Sequence, residues 1–376
     1  MVQPTLRAPW DVMERQHRGF AGAVLRWIRA RFFSGWPSSL ATFVLVLTAW
    51  HIVPDLFRWA VTNAVWSAPD GAVCREMKVQ GACWAFVAER LRFFLFGTFP
   101  ADERWRPACV LLVLVGLIGL TLLRVLPAWR LVAIWLGALA ATIALLAGGW
   151  FGLRYVENER WGGLTLTLLL SVIGLAGAFP LGIVLALARR SEMPIMRWLT
   201  IAYIEVFRGV PLITVLFMAS ALLPLFLPAG ATIDKLLRAQ LAMIAFAAAY
   251  IAEVVRGGLQ AVARGQEEAA LALGLNYFQR IRYVILPQAL RIAVPPLVNT
   301  FIGFFKDTSL VVIIGLMDFL TTVKVALTET AWTGFGVEAY LFAAAGYFLF
   351  CYPVSRYSRK LEVVPVSVLR AAQPNG

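Results

Sequence analysis

The residues best placed to do chemistry cluster in a short charged stretch. Gln266-Glu267-Glu268-Ala269-Ala270 sets two acids beside two alanines, Gly274 follows, and Leu286-Pro287 closes the stretch. Acids near a helix start suit the positive end of its dipole, and alanine sustains the helix. Gly274 is placed to end it in a left-handed turn. Asn276 and Gln279 stand at capping-box spacing for a second helix, and Pro287 marks the return to apolar sequence. The stretch 257–287 therefore reads as two short helices joined by a tight bend. Its chemistry is docking rather than catalysis. Ala269, Ala270, Ala272 and Gly274 are small enough for a partner surface to close over. Glu267 and Glu268 offer directional polar contacts, and Arg280 and Arg282 offer basic ones.

A second group of polar residues follows an apolar run. Lys306, Asp307 and Thr308 precede Val311-Val312-Ile313-Ile314, a run too short to cross a bilayer. Charges at membrane depth are usually functional. One cation and one anion suit the two ends of a zwitterion, although adjacent helix positions point in different directions. A helix from Pro287 to Lys306 climbs about 28 Å, so Lys306 also fits an interfacial position. Asn299 and Thr300 are candidate wall residues of the same path, after a Pro295-Pro296 pair expected to kink the helix. Glu205 with Arg208, and Glu253 with Arg256, are spaced i to i+3 and read as ion pairs at helix ends.

What is missing bounds the function. No Lys follows a Gly, so the phosphate-cradling G-K-[ST] of a P-loop is absent from the chain. There is no Ser/His/Asp set, and His17 and His51 are too isolated for a metal site. The chain is expected to be no enzyme and to bind no cofactor of its own.

The elements that position these residues are membrane helices. The chain has 376 residues, 60% hydrophobic and 15% charged, which excludes a soluble or disordered domain. Apolar runs of roughly spanning length recur at 38–60, 107–126, 131–150, 162–188, 203–227, 238–256, 288–305 and 337–355. The fold class is thus all-α and polytopic, with about eight transmembrane helices. A basic, aromatic tail at 1–37 (Arg15, Arg18, Arg26, Trp27, Arg29, Arg31, Phe32, Phe33) is expected at the cytoplasmic membrane surface. With the N-terminus inside, about 21 of the 34 Lys and Arg fall on the cytoplasmic side. Both termini, including the tail 358–376, are then cytoplasmic. The net charge of +13 reflects topology, with no nucleic acid implied.

The polar segment 62–106 would face outward as a loop. An oxidising periplasm permits a disulfide between its Cys74 and Cys83, with two free thiols as the alternative reading. The region 38–160 carries little chemistry and reads as an accessory three-span part. From Trp161 the texture changes: Gly174, Gly177 and Gly182 allow close helix approach. The functional core is set at 161–357.

The stretch Glu268-Ala269-Ala270, Gly274, Val284-Ile285-Leu286-Pro287 resembles the EAA loop of ABC importer permeases, with Val284 replacing the family's Ile. The flanks Glu205-Val206-Phe207-Arg208-Gly209-Val210-Pro211, Arg256-Gly257-Gly258-Leu259 and Phe305-Lys306-Asp307-Thr308-Ser309-Leu310 look like those of amino-acid importers. The resemblance implies a five-helix type I permease core in the C-terminal half. It also implies a general L-amino-acid uptake system in a bacterial inner membrane. The partners it implies are nucleotide-binding subunits that use ATP and Mg, a second homologous permease in a heterodimer, and a periplasmic amino-acid-binding protein. Glu268 and Gly274 are the positions expected to matter most for coupling. The rival reading is a self-sufficient secondary transporter, which predicts an inverted repeat and intramembrane acids; no such repeat is visible.

Overall fold

The computed structural model describes residues 20–76, 81–123, 125–150, 152–226, 228 and 233–361. Arg15 and Arg18 of the basic tail, and the last fifteen residues, 362–376, lie outside the described residues. The chain forms two compact units: Met1–Ala68 with Ala72–Trp84, and Pro69–Gly71 with Ala85–Gly376. The division therefore falls near Trp84, well before the change of texture at Trp161.

In the first unit, α1 (Phe20–Phe32) leads to α2 (Trp36–Phe57), which starts with Pro37 in its first turn. Apolar residues cover all sides of α2 and none of its described residues is buried within the chain, the pattern of a helix that faces lipid or another subunit. A π-turn (Arg58–Thr62) ends it, and α3 (Gly71–Glu76) follows. The chain then folds back: Ala82 N–H donates to the Trp59 carbonyl at 2.8 Å and Val65 N–H to the Ala82 carbonyl at 2.8 Å. Trp84 packs against Trp59 and Trp66, and a disulfide joins Cys74 to Cys83.

The second unit is a helical bundle. In chain order it contains α4 (Ala85–Phe96), α5 (Trp105–Leu123), α6 (Ala128–Ala147) and α7 (Gly163–Ala188). Then come α8 (Pro194–Gly209), α9 (Leu212–Ala221), α10 (Lys235–Gln260), α11 (Arg264–Ala272), α12 (Tyr277–Gln279) and α13 (Leu286–Asp307). It closes with α14 (Phe319–Ala326) and α15 (Gly336–Leu361). Among the described residues, seven helices of the chain are long and apolar enough to cross a membrane, or eight if α8 and α9 count as one span.

That last pair corrects the sequence reading of a single span over 203–227. α8 and α9 meet at 105° across Val210-Pro211. Proline lacks the amide that would continue α8 and keeps the residue before it out of helical conformation. Pro211 instead serves as the N-cap of α9. The segment 62–106 is likewise more than a loop. Its helix α4 buries Phe86 and Phe94, which stack near Trp332 and Phe342 in the second unit.

Helices α7 and α10 form the central contact, because small residues let their backbones approach. A Cβ at Gly182 would stand 2.6 Å from the Ile251 side chain, and one at Gly258 would stand 2.4 Å from the Ala289 carbonyl of α13. An alanine-rich face of α10 (Ala242, Ala247, Ala248, Ala249, Ala252) fills the same seam. At the opposite end from α11, Gly162 and Gly163 pair with Met317 and Asp318. There Asp318 caps α14, accepting from Leu320 N at 2.9 Å and Thr321 N at 3.2 Å.

Candidate coupling hairpin and substrate path

The hairpin is built from α11, a turn, and the start of a long helix. Ala263 in extended conformation begins α11, and Glu267 lies in its first turn. Gly274 ends it at φ +74°, the left-handed region where a side chain is strained. Gly274 N–H donates to the Leu271 carbonyl at 2.9 Å, and Leu275 N–H to the Ala270 carbonyl at 3.2 Å. This pair of bonds is a Schellman motif, which satisfies the last carbonyls of the helix. Asn276 then opens α12: its Oδ1 accepts from Gln279 N at 3.0 Å, and Gln279 Oε1 accepts from Asn276 N at 2.9 Å.

The second limb differs from the expected short helix. α12 runs through a π-turn (Arg280–Ile285) into α13 without interruption. Pro287 sits in the first turn of α13, where the apolar sequence resumes. The widened π-turn just before it accommodates a residue that cannot donate to the preceding turn. Gln288 Nε2 donates to Gln266 Oε1 at 3.1 Å, tying the base of α13 to α11. The elbow is therefore fixed to a helix that extends about 33 Å beyond it.

The surface of the hairpin is uneven. Glu268, Ala269, Ala272 and Gly274 are exposed and Glu267 is half-buried. Leu273 and Phe278, both near the tip, are 79% and 80% exposed. Tyr283 and Arg282 are exposed on the second limb, and Arg280 is half-buried. Ala270 is only 2% exposed, so it packs inward and does not offer its methyl to a docking surface. Ile285 on the second limb is also buried.

Just before the hairpin, three helix ends meet around Glu253. Its carboxylate faces Arg189 at 2.6 Å, Arg256 at 2.8 Å and Arg208 at 3.5 Å. Glu205 pairs with Arg189 at 3.2 Å. The expected Glu253–Arg256 pair is present, but Glu205 and Arg208 take tertiary partners instead of each other. Both sit at the end of α8, where Arg189 at the end of α7 and Glu253 on α10 come within reach. Arg189 and Arg208 thus bind α7 and α8 to α10, which sequence spacing within one helix does not reveal.

The candidate path residues lie on or just beyond α13. Asn299 is exposed, and Thr300 Oγ1 donates to the Pro296 carbonyl at 3.0 Å. α13 continues through Pro295 and Pro296 as one helix. Lys306 is exposed and Asp307 half-buried at its end. Thr308 is fully buried, and its hydroxyl donates to the Phe305 carbonyl at 2.7 Å, so it lines no path. Val311-Val312-Ile313-Ile314 lies in a short 3-10 helix (Thr308–Ile314) ended by Gly315 at φ +79°.

Asp318 was not singled out from the sequence. It is fully buried, and burial pushes its carboxyl above the ordinary range, against the opposing pull of Thr321, the Leu320 and Thr321 amides and Lys324. Its local signal is Asp318 directly before the apolar start of α14, an N-cap residue type.

Comparison with known proteins agrees with this geometry. Residues 178–362 match the family of binding-protein-dependent transport system inner membrane components. The chain is 48% identical over 340 residues to the inner membrane amino-acid ABC transporter permease protein YhdY of Escherichia coli (strain K12), covering 89% of this chain and 91% of that one. It is 37% identical over 404 residues to the glutamate/glutamine/aspartate/asparagine transport system permease protein BztC of Rhodobacter capsulatus, covering 90% and 93%. A probable glutamine ABC transporter permease protein, GlnM of Bacillus subtilis, is 35% identical over 189 residues, 50% of this chain but 85% of that protein. Similarity to the first two relatives thus reaches into the N-terminal half, whereas the third is a shorter protein that half of this chain nearly covers. The chain belongs to the family of inner-membrane permease components of binding-protein-dependent ABC transport systems.

Proposed function

We propose that this chain is the permease subunit of an ATP-driven, binding-protein-dependent importer of amino acids, of the general L-amino-acid type. The observation that carries the reading is the elbow of α11 and α12: a capped, internally fastened hairpin whose tip exposes Leu273, Phe278 and Glu268. Such a tip fits a cleft on a nucleotide-binding subunit, which would hold ATP and Mg. Closure of two such subunits would push on the elbow, and α13 would carry the displacement to Lys306 and Asp307. The elbow moves with α13 because Gln266 and Gln288 link them. Glu253 and its arginines keep the ends of α7, α8 and α10 moving as one body.

In this reading both termini are cytoplasmic, and a second, related permease completes the path as a heterodimer. Substrate arrives on a periplasmic amino-acid-binding protein. The names of the relatives support amino acids as the cargo. Asn299, Thr300, Lys306 and Asp307 are the candidate path residues. The test is Glu268→Arg in the assembled complex. The expected result is intact assembly with lost ATP-driven uptake. Normal assembly, ATP hydrolysis and uptake together would overturn the docking role.

A further inference from the structure

An apolar groove of about 560 Å³ opens between α5, α6, α7, α13 and α15 of the second unit. Its walls include Trp135, Leu168, Ala176, Phe179, Phe301 and Cys351. The side-chain nitrogen and oxygen atoms among its lining residues are already engaged. Trp135 Nε1 donates to Thr121 Oγ1 at 3.0 Å, and Thr121 Oγ1 donates to the Leu117 carbonyl at 2.7 Å. Ser171 Oγ donates to the Thr167 carbonyl at 2.7 Å. An occupant therefore needs no hydrogen bond. Along α7 the groove runs from Leu168 to Phe179, about 17 Å of helix rise.

Size decides between occupants. A spanning helix of about 20 residues has a volume of roughly 2,400 Å³ and could seat only side chains in the groove. The groove takes something narrower and flexible. Charge decides the end. Gly97, after α4, lies against Gly162 at the start of α7, and Arg106 at the start of α5 donates to the Arg154 carbonyl at 2.8 Å. Leu122, at the finish of α5, therefore lies toward the hairpin end of the bundle. At that end α6 starts with exposed Arg130, stacked over Trp129 at 5.1 Å, and α15 finishes with exposed Arg356 and Arg359. Exposed tryptophan and arginine at helix ends mark the level of lipid head groups.

We propose that the groove between α5, α6, α7, α13 and α15 binds an acyl chain of an anionic phospholipid, whose head group rests on Arg130, Arg356 and Arg359. The lipid would fill the space between the accessory helices α5 and α6 and the helices of the permease core.

The experiment reconstitutes the full chain, purified with its associated subunits, into vesicles containing phosphatidylglycerol or phosphatidylcholine with a photoreactive diazirine in the acyl chain. The crosslinked peptides are then mapped. Labelling is expected to concentrate on peptides holding Trp135, Ala176 and Cys351. Phosphatidylglycerol should be favoured by about fivefold for each arginine engaged. Ala176→Trp, which fills the groove from an exposed position, should remove the concentrated label. Arg130→Gln with Arg356→Gln and Arg359→Gln should abolish the preference while leaving acyl labelling. An independent readout on the unaltered chain is alkylation of Cys351, which should be slower in phosphatidylglycerol vesicles than in a short-chain detergent. Label spread evenly over the outer faces of all helices, or unaffected by Ala176→Trp, would overturn the proposal. So would crosslinks from the groove to a second polypeptide, or Cys351 reactivity equal in both media. Equal labelling by both lipids would overturn the head-group site.

Discussion

Two glycines in one hairpin predict opposite responses to the same chemical change. Gly274 has φ +74° and nothing within 4 Å of where a Cβ would stand, so Gly274→Ala meets no clash. Its cost is purely conformational, about 1–2 kcal/mol for a non-glycine residue in the left-handed region. Gly265 also has open space around it, but it lies inside α11 with a negative φ. There alanine is stabilising by about 0.4–1 kcal/mol, because it restricts the unfolded chain. The Gly274→Ala cost falls on the two bonds that close the turn, Gly274 N–H to Leu271 and Leu275 N–H to Ala270. Hydrogen exchange at these two amides should accelerate about five- to thirtyfold in Gly274→Ala, the equivalent of 1–2 kcal/mol of local opening. In Gly265→Ala it should be unchanged or slower. ATP hydrolysis stimulated by substrate should fall in Gly274→Ala and persist in Gly265→Ala. Equal exchange rates in the two variants would refute the left-handed closure. Faster exchange with full coupling would refute the claim that the elbow's shape transmits force.

Three further outcomes follow from the geometry. Glu253→Gln leaves Arg189, Arg208 and Arg256 facing one another and should lower stability by about 1.5–3 kcal/mol in thermal unfolding. Glu205→Gln should cost less than about 1 kcal/mol, since that side chain is 57% exposed against 13% for Glu253. Burial raises the Asp318 carboxyl above its unfolded value, so its contribution is fully present below about pH 4 and is lost as pH rises through the raised value. Asp318→Asn keeps a good N-cap, and melting curves across that range should lose the slope that the unaltered chain shows. Reduction of the Cys74–Cys83 bridge opens a short loop and should cost roughly 2–3 kcal/mol in the first unit. Proteolysis between residues 62 and 84 should then increase while the second unit resists as before.

The hairpin was legible because a soluble, charged insert between apolar runs leaves few other readings, and its caps obey local rules. Asn276–Gln279 and the left-handed Gly274 need only a few neighbouring residues. What sequence hid was tertiary. Arg208 faces Glu253 and Glu205 faces Arg189, pairings that no spacing within α8 encodes. The 105° bend at Val210-Pro211 was hidden because an apolar run continues across it. Ala270 looked like part of a docking face because composition shows size but not direction. Cys74 and Cys83 meet only because the chain folds back along Trp59, Ala82 and Val65. The groove lined by Trp135, Ala176 and Cys351 joins helices far apart in the chain and has no local signature at all.

The most direct measurement is solute accumulation in proteoliposomes, with the chain reconstituted alone and together with the nucleotide-binding subunit of its transport system. Uptake of labelled amino acids is expected only with that subunit, ATP and the binding protein present, and Glu268→Arg should abolish it. Accumulation by this polypeptide alone, without any ATPase, would contradict the account.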